Sequence, residues 1–248
     1  VYVSVLEALK QAAIANDVKI EIEPIDSSEF NLNDLKKYDG IVAPQGWGSR
    51  GVEGIIEAIK VARENKIPYL GLCFGMQMAV VEFARNVLKL KGANSAEVDP
   101  KTKYSVIHIM PDQLEYLKKK QYGGTIRLGS WPCKLTPRTK LAEAYKKFGG
   151  DKEAPWNTED NFKIEDRTNV IFERHRHRYE VNSEYREQLE KAGMIISGTS
   201  PDGKLVEAIE IKDHPFFVGT QFHPEYIARP LMPHPVFMAF VEAVKKKK

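Results

Sequence analysis

The sequence predicts an α/β fold: a central, mainly parallel sheet with helices on both faces, plus additional antiparallel strands. Two observations carry this. The first part of the chain alternates helical and strand-like patterns, the order expected when parallel strands are covered by helices. The second part reads as short strands, several joined by turn signals such as "SPDG" (200–203). No internal repeat or low-complexity linker interrupts the 248 residues, so one domain over 1–248 is expected.

The elements follow in order. Val5, Leu6, Leu9 and Ala13 lie at helical spacing, and "VKIEIEPID" (18–26) alternates as a half-buried strand does. A short apolar run, "YDGIVAPQG" (38–46), precedes a helical pattern over 51–66 and a compact strand, "IPYLGLC" (67–73). From Met76 to Val87 apolar residues again recur at helical spacing. "SVIHIM", "GTIRLGSWPCKL", "RHRYEV", "MIISGTSPDGKLVEAIEI" and "FFVGTQFHPE" read as strands, and "HPVFMAFVEAVKK" (234–246) as the last helix. Segments 111–123 and 149–168 are polar and aperiodic, which predicts surface insertions.

Composition narrows the function. A net charge of +3 is too small to argue for nucleic acid, and the lysines at 245–248 complement the end of a helix. No apolar run is long enough to span a bilayer and no signal-peptide pattern opens the sequence. Two cysteines, Cys73 and Cys133, make no disulfide framework, so a reducing, cytoplasmic setting without membrane contact is expected.

Cys73 stands between Gly71 and Gly75 where a strand pattern turns into a helix. A lone cysteine is more often buried and inert. A strand–nucleophile–helix turn would instead lift the sulfur above the sheet edge, beside backbone N–H groups that stabilise a thiolate or an oxyanion. Such a thiol needs a base, and the base an orienting group. "TQFHPEYI" (220–227) offers His223 with Glu225 two residues on, a spacing that puts both on one side of a strand. His214 and His234 precede prolines and read as turn residues, and His108 as structural. Cys73, His223 and Glu225 are therefore the candidate catalytic triad.

Two other stretches carry weaker signals. "GWGSRGVEG" (46–54) lacks the Gly-Lys-Ser/Thr ending of a phosphate-binding loop. In "RHRHR" (174–178) strand alternation separates the arginines from His175 and His177, and no further metal ligands stand at a familiar spacing, so no metal is expected.

"GLCFGMQ" (71–77) with "HPE" (223–225) resembles the class I glutamine amidotransferases. "SRGVEG" (49–54), "ANSAEVDP" (93–100), "GGTIRLG" (123–129) and "ERHRHRYEVN" (173–182) resemble the glutaminase domain of CTP synthases in particular. The resemblance covers nearly the whole chain and implies a flavodoxin-like amidotransferase fold. It also implies hydrolysis of L-glutamine to glutamate and ammonia through a thioester on Cys73, with His223 transferring protons and Glu225 orienting it. The backbone N–H groups of Gln45 and Phe74 would form the oxyanion hole. Gly46, Gln77, Glu97 and Arg178 would bind substrate, and Arg50 would sit on a lid linked to GTP activation.

This domain would need no cofactor; ATP, Mg and GTP belong to the complete enzyme. The ammonia would aminate UTP in a synthetase domain, carried on the same or another chain, which this sequence does not contain. The family's opening strand is likewise not seen. The oxyanion loop reads "PQGWG" (44–48) where the family usually has Pro-Gly-Gly-Phe-Gly. If that first position required a glycine conformation, Gln45 would misplace an oxyanion donor, at a cost of roughly 10²–10³ in rate. A catalytically weak glutamine-binding, regulatory or assembly domain, or a different class I amidotransferase, is the alternative reading.

Overall fold

A computed structural model describes residues 2–109, 127–150, 154–157 and 167–247. Its main sheet has seven strands in the order β1-β2-β10-β9-β8-β5-β6. These are β1 (Ile41–Ala43), β2 (Tyr69–Leu72), β5 (Arg127–Leu135), β6 (Val170–His177), β8 (Met194–Thr199), β9 (Val206–Ile211) and β10 (Phe217–Thr220). A small sheet, β3-β4-β7, joins Asn94–Ser95, Ser105–Ile109 and Tyr179–Val181. The α/β class is as the sequence predicts, but the sheet is mixed rather than mainly parallel. The parallel part is the trio β1, β2 and β10, and the antiparallel strands β9, β8, β5 and β6 continue the same sheet.

Strand alternation sorts apolar residues between the two faces. Tyr69 and Phe217 point into one core with Ile56, Ile59, Met76 and Val80, which come from α2 (Val52–Glu64) and α3 (Phe74–Asn86). Their neighbours Leu70 and Val218 point into the other. There they meet Leu9 of α1 (Val3–Ala15), Tyr145 of α4 (Lys140–Phe148) and Phe237 of α6 (Pro235–Lys247). A short α5 (Arg186–Lys191) adds Leu189 to the first core. The second-core strip, Leu70, Leu72, Val218 and Phe222, ends beside the turn that carries Cys73.

Three expectations need correction. Segment 18–26 forms no strand: Val18, Ile20 and Ile22 do pack on the second core by turns, but the segment joins neither sheet. Alternation produces a half-buried face; a ladder also needs a partner edge. Within 149–168, Trp156 is not surface but fully buried, stacked edge-on against His234 with ring centroids 4.9 Å apart. The rest of that segment lies largely, and segment 111–123 wholly, outside the described residues. His214 and His234 are not plain turn residues either. Both are buried, His214 bonded to the Ala62 carbonyl and His234 to Glu173 at 3.0 Å.

Candidate active site

Cys73 links β2 to α3 with φ 50° and ψ −99°, a backbone conformation rare for any residue but glycine. Its N–H donates to the Thr220 carbonyl at 2.6 Å, which ties the turn to the end of β10. The flanking glycines permit the close packing this requires. A β-carbon on Gly75 would lie 2.1 Å from the Ala43 carbonyl oxygen, and one on Gly71 would lie 2.9 Å from the Gly75 backbone. The sequence therefore keeps glycine where the turn presses on β1 and on itself, and Cys73 takes the strained position between. Strain held in this way is a mark of functional turns.

His223 arrives from the loop after β10. Its own N–H donates to the Arg174 carbonyl at 2.7 Å, fastening the loop to the free edge of β6. The imidazole is buried, and its Nδ1 lies 2.8 Å from Glu225 Oε1, so Nδ1 carries the proton and Nε2 is directed away from the carboxylate. Burial by itself would lower the His223 pKa. Interactions with the Cys73 sulfur and with Glu225 outweigh it and push the value up to about 10. Tyr226 covers the other side of the ring, stacked at 4.7 Å with the planes 8° apart. A thiol facing an imidazole that a carboxylate orients has the parts needed for nucleophilic catalysis.

Beside Cys73 is a cavity of about 240 Å³, lined also by Gly46, Gln77, Glu97, Arg176, His177, Arg178 and Tyr179. One wall carries a carboxylate and another two guanidinium groups, a lining suited to a small zwitterion. Burial raises the Glu97 pKa, and the Gly48 N–H, 3.5 Å from Oε1, together with nearby Arg178 limits the rise. Gln77, from the first turn of α3, donates to the Tyr179 carbonyl at 2.8 Å and so joins the nucleophile's helix to the small sheet.

Below the cavity, His175 and His177 fall on the inner face of β6, as alternation predicts, with Arg174 and Arg176 exposed. Burial holds both imidazoles neutral, His177 down to about 3. Glu207, from β9, supplies a third group with ligand atoms within 4.8 Å of theirs, which sequence spacing did not reveal. Hydrogen bonding takes up part of the set and leaves His175 Nε2 and Glu207 Oε2 without a partner among the described residues. His177 Nδ1 donates to the Tyr179 carbonyl, His175 Nδ1 lies 3.0 Å from His177 Nε2, and the Arg127 guanidinium pairs with Glu207.

Comparison with known proteins bears on this arrangement. The family described as "Glutamine amidotransferase class-I" matches residues 1–243. The chain belongs to the class-I glutamine amidotransferases. It is 52% identical over 249 residues to a CTP synthase of Carboxydothermus hydrogenoformans, covering 99% of this chain and 42% of that protein. To a CTP synthase of Caldanaerobacter subterraneus subsp. tengcongensis it is 51% identical over 247 residues, covering 98% and 42%. The amidotransferase chain thus spans about two fifths of the length of these relatives, 42% in both cases. A solved structure described as the glutaminase domain of Trypanosoma brucei CTPS with bound acivicin superposes with a TM-score of 0.83 at 35% identity. That match covers 100% of this chain and 89% of the other.

Of the residues picked out in the amidotransferase sequence, Cys73, Gly46, Gln77, Glu97 and Arg178 meet at the cavity. His223 and Glu225 stand buried behind the sulfur. Gln45 and Phe74 adjoin the cavity-lining Gly46 and Cys73 in the chain; neither lines the cavity itself. Gln45 does not have positive φ, so nothing in its conformation calls for glycine. Arg50 is elsewhere, largely exposed and 3.3 Å from Asp26 across the surface. Sequence reading missed Gln221, whose side chain reaches Cys73, and Tyr226, which stacks on His223. Both sit beside the "FHPE" stretch, and that proximity was the available signal.

Proposed function

We propose that this chain, as a single domain over 1–248, is the glutaminase part of a CTP synthase. It would hydrolyse L-glutamine and deliver ammonia to a synthetase domain that aminates UTP. The observation that carries the reading is the placement of Cys73 on a strained turn at a cavity wall, with His223 and Glu225 aligned behind it. Similarity to CTP synthases over 99% of the chain supports the choice of ammonia acceptor.

Glutamine enters with its ammonium toward Glu97 and its carboxylate toward Arg178, while Gly46 and Gln77 wall the side-chain amide. Cys73 Sγ attacks the amide carbon. The oxyanion so formed is met by the N–H groups of Phe74 and Gln45; the first N–H groups of a helix have no intrahelical acceptor and are free for this use. Collapse breaks the C–N bond, with His223 Nε2–H supplying the proton that lets ammonia leave. The resulting thioester is hydrolysed when His223 removes a proton from water, and the sulfur departs as glutamate forms. Glu225 accepts from Nδ1–H throughout and keeps Nε2 toward the reacting atoms.

This chemistry uses no metal or cofactor; ATP, Mg and GTP would serve the complete enzyme. Arg50, on the exposed loop whose Gly48 N–H reaches Glu97, would belong to a lid that answers GTP in the complete enzyme. No helix among the described residues is long and apolar enough to cross a membrane; a cytoplasmic setting is part of the proposal.

Rapid quenching of the chain with glutamine tests the reading. A glutamyl adduct on the Cys73 peptide, absent in Cys73→Ser, is the expected result. Addition of a synthetase domain, ATP and UTP should then yield CTP with glutamine as nitrogen donor. Glutamine binding without an adduct or ammonia release would contradict the catalytic reading.

A further inference from the structure

The proposed triad leaves one contact to the sulfur unexplained. Gln221 Nε2 lies 3.5 Å from Cys73 Sγ, between buried side chains separated by 148 positions in sequence. Gln221 is fully buried and does not line the cavity, so the sulfur is its route to the reaction.

The orientation of its amide is fixed by hydrogen-bond logic. A backbone carbonyl only accepts, so Gln77 must present Nε2 to the Tyr179 carbonyl, at 2.8 Å. The second hydrogen on that nitrogen faces Gln221 at 3.2 Å. Gln221 must therefore offer Oε1 to Gln77, which leaves its own Nε2–H₂ directed at Sγ. Turning the amide over would set two NH₂ groups against each other and point an oxygen at the nucleophile. The backbone holds the same register: Gln221 N donates to the Glu207 carbonyl at 2.8 Å, and the preceding Thr220 accepts from Cys73 N.

We propose that Gln221 is a further catalytic residue, a fixed hydrogen-bond donor to Cys73 Sγ that stabilises the thiolate alongside His223. Its orientation is set through Gln77, a residue of the cavity wall. An N–H donor to a charged sulfur favours the ionised form over the neutral one, because hydrogen bonds to charged groups are the stronger kind. The effect on turnover rests on the glutaminase reading; the effect on the thiol does not.

Iodoacetamide alkylation of Cys73, followed by peptide mass against pH, separates the two. Gln221→Met removes the donor at similar volume, and Gln221→Glu keeps an acceptor for Gln77 but sets a carboxyl against the sulfur. The half-point of the alkylation profile should rise by about one pH unit in Gln221→Met, roughly tenfold less thiolate at any pH below both half-points. It should rise further in Gln221→Glu. Ammonia release should fall roughly tenfold in Gln221→Met with KM for glutamine nearly unchanged.

Should either variant fail to fold, the native chain still gives a readout. The Gln221 side-chain amide proton should shift as Cys73 ionises, and should not shift over that range in Cys73→Ala. An unchanged alkylation profile in a folded variant, or a Gln221 amide signal indifferent to Cys73, overturns the proposal. Displaced alkylation without ammonia release, even after a synthetase domain and GTP are added, would leave Gln221's role standing and refute the glutaminase reading instead.

Discussion

At the scale of single residues, the state of His223 depends on its neighbours. Its pKa of about 10 exists because Cys73 and Glu225 outweigh burial. In Cys73→Ala one of those two supports is gone while the burial remains. The imidazole should then titrate well below 10, which histidine NMR would show; an unmoved titration would mean that the sulfur does not hold the proton there. Gln45 invites a second test. Because its φ is not positive, Gln45→Gly should change the glutamine turnover rate by less than about tenfold, well short of the roughly 10²–10³ that a lost oxyanion donor costs. Cys73, His223 and Glu225 were legible because their signals are local: glycines bracket the thiol and two residues separate base from carboxylate. Gln221 and Glu207 were not, since their partners, Cys73 and the β6 histidines, lie far from them in sequence.

At the scale of elements, the site depends on how closely β1, β2 and α3 approach. A β-carbon at position 75 meets backbone of β1 rather than a flexible side chain, so Gly75→Ala should destabilise the fold by about 1–3 kcal/mol and reduce activity by displacing the turn. A lowered urea midpoint together with lost ammonia release is the expected pair of results. The helices behind the turn are joined by Arg63 of α2, which grips both oxygens of Glu82 on α3 at 2.7–3.1 Å. Glu82 is fully buried and Arg63 only partly exposed, so Arg63→Met removes the buried carboxylate's cation and leaves it the Asn86 amide as its remaining donor. That should cost about 3 kcal/mol by urea denaturation. Most elements could be read from periodicity, since β2, α3 and α6 each keep their apolar pattern. Segment 18–26 shows the limit of the method: its alternation is real, but the partner that makes a strand is a property of the fold. Trp156 shows another, because a single large side chain can anchor an aperiodic stretch in the core.

At the scale of the whole molecule, buried neutral histidines set an acid limit on stability. Burial holds His177 near 3, His214 near 4 and His175 well below the ordinary value of 6.5. The unfolded chain takes up these protons first as pH falls below about 6.5, so it gains free energy that the native state does not. Stability should therefore decline from about pH 6.5 toward 4, with a urea midpoint that drops across this window, and His177→Gln should flatten the decline. The glutaminase activity proposed for the assembled site is a property of the whole chain. It is tested most directly by ammonia release from L-glutamine by the purified chain, with Cys73→Ala as the blank. Release from the native chain, abolished in Cys73→Ala, is the expected result. Glutamine binding with no cysteine-dependent ammonia, even after a synthetase domain and GTP are added, would contradict it.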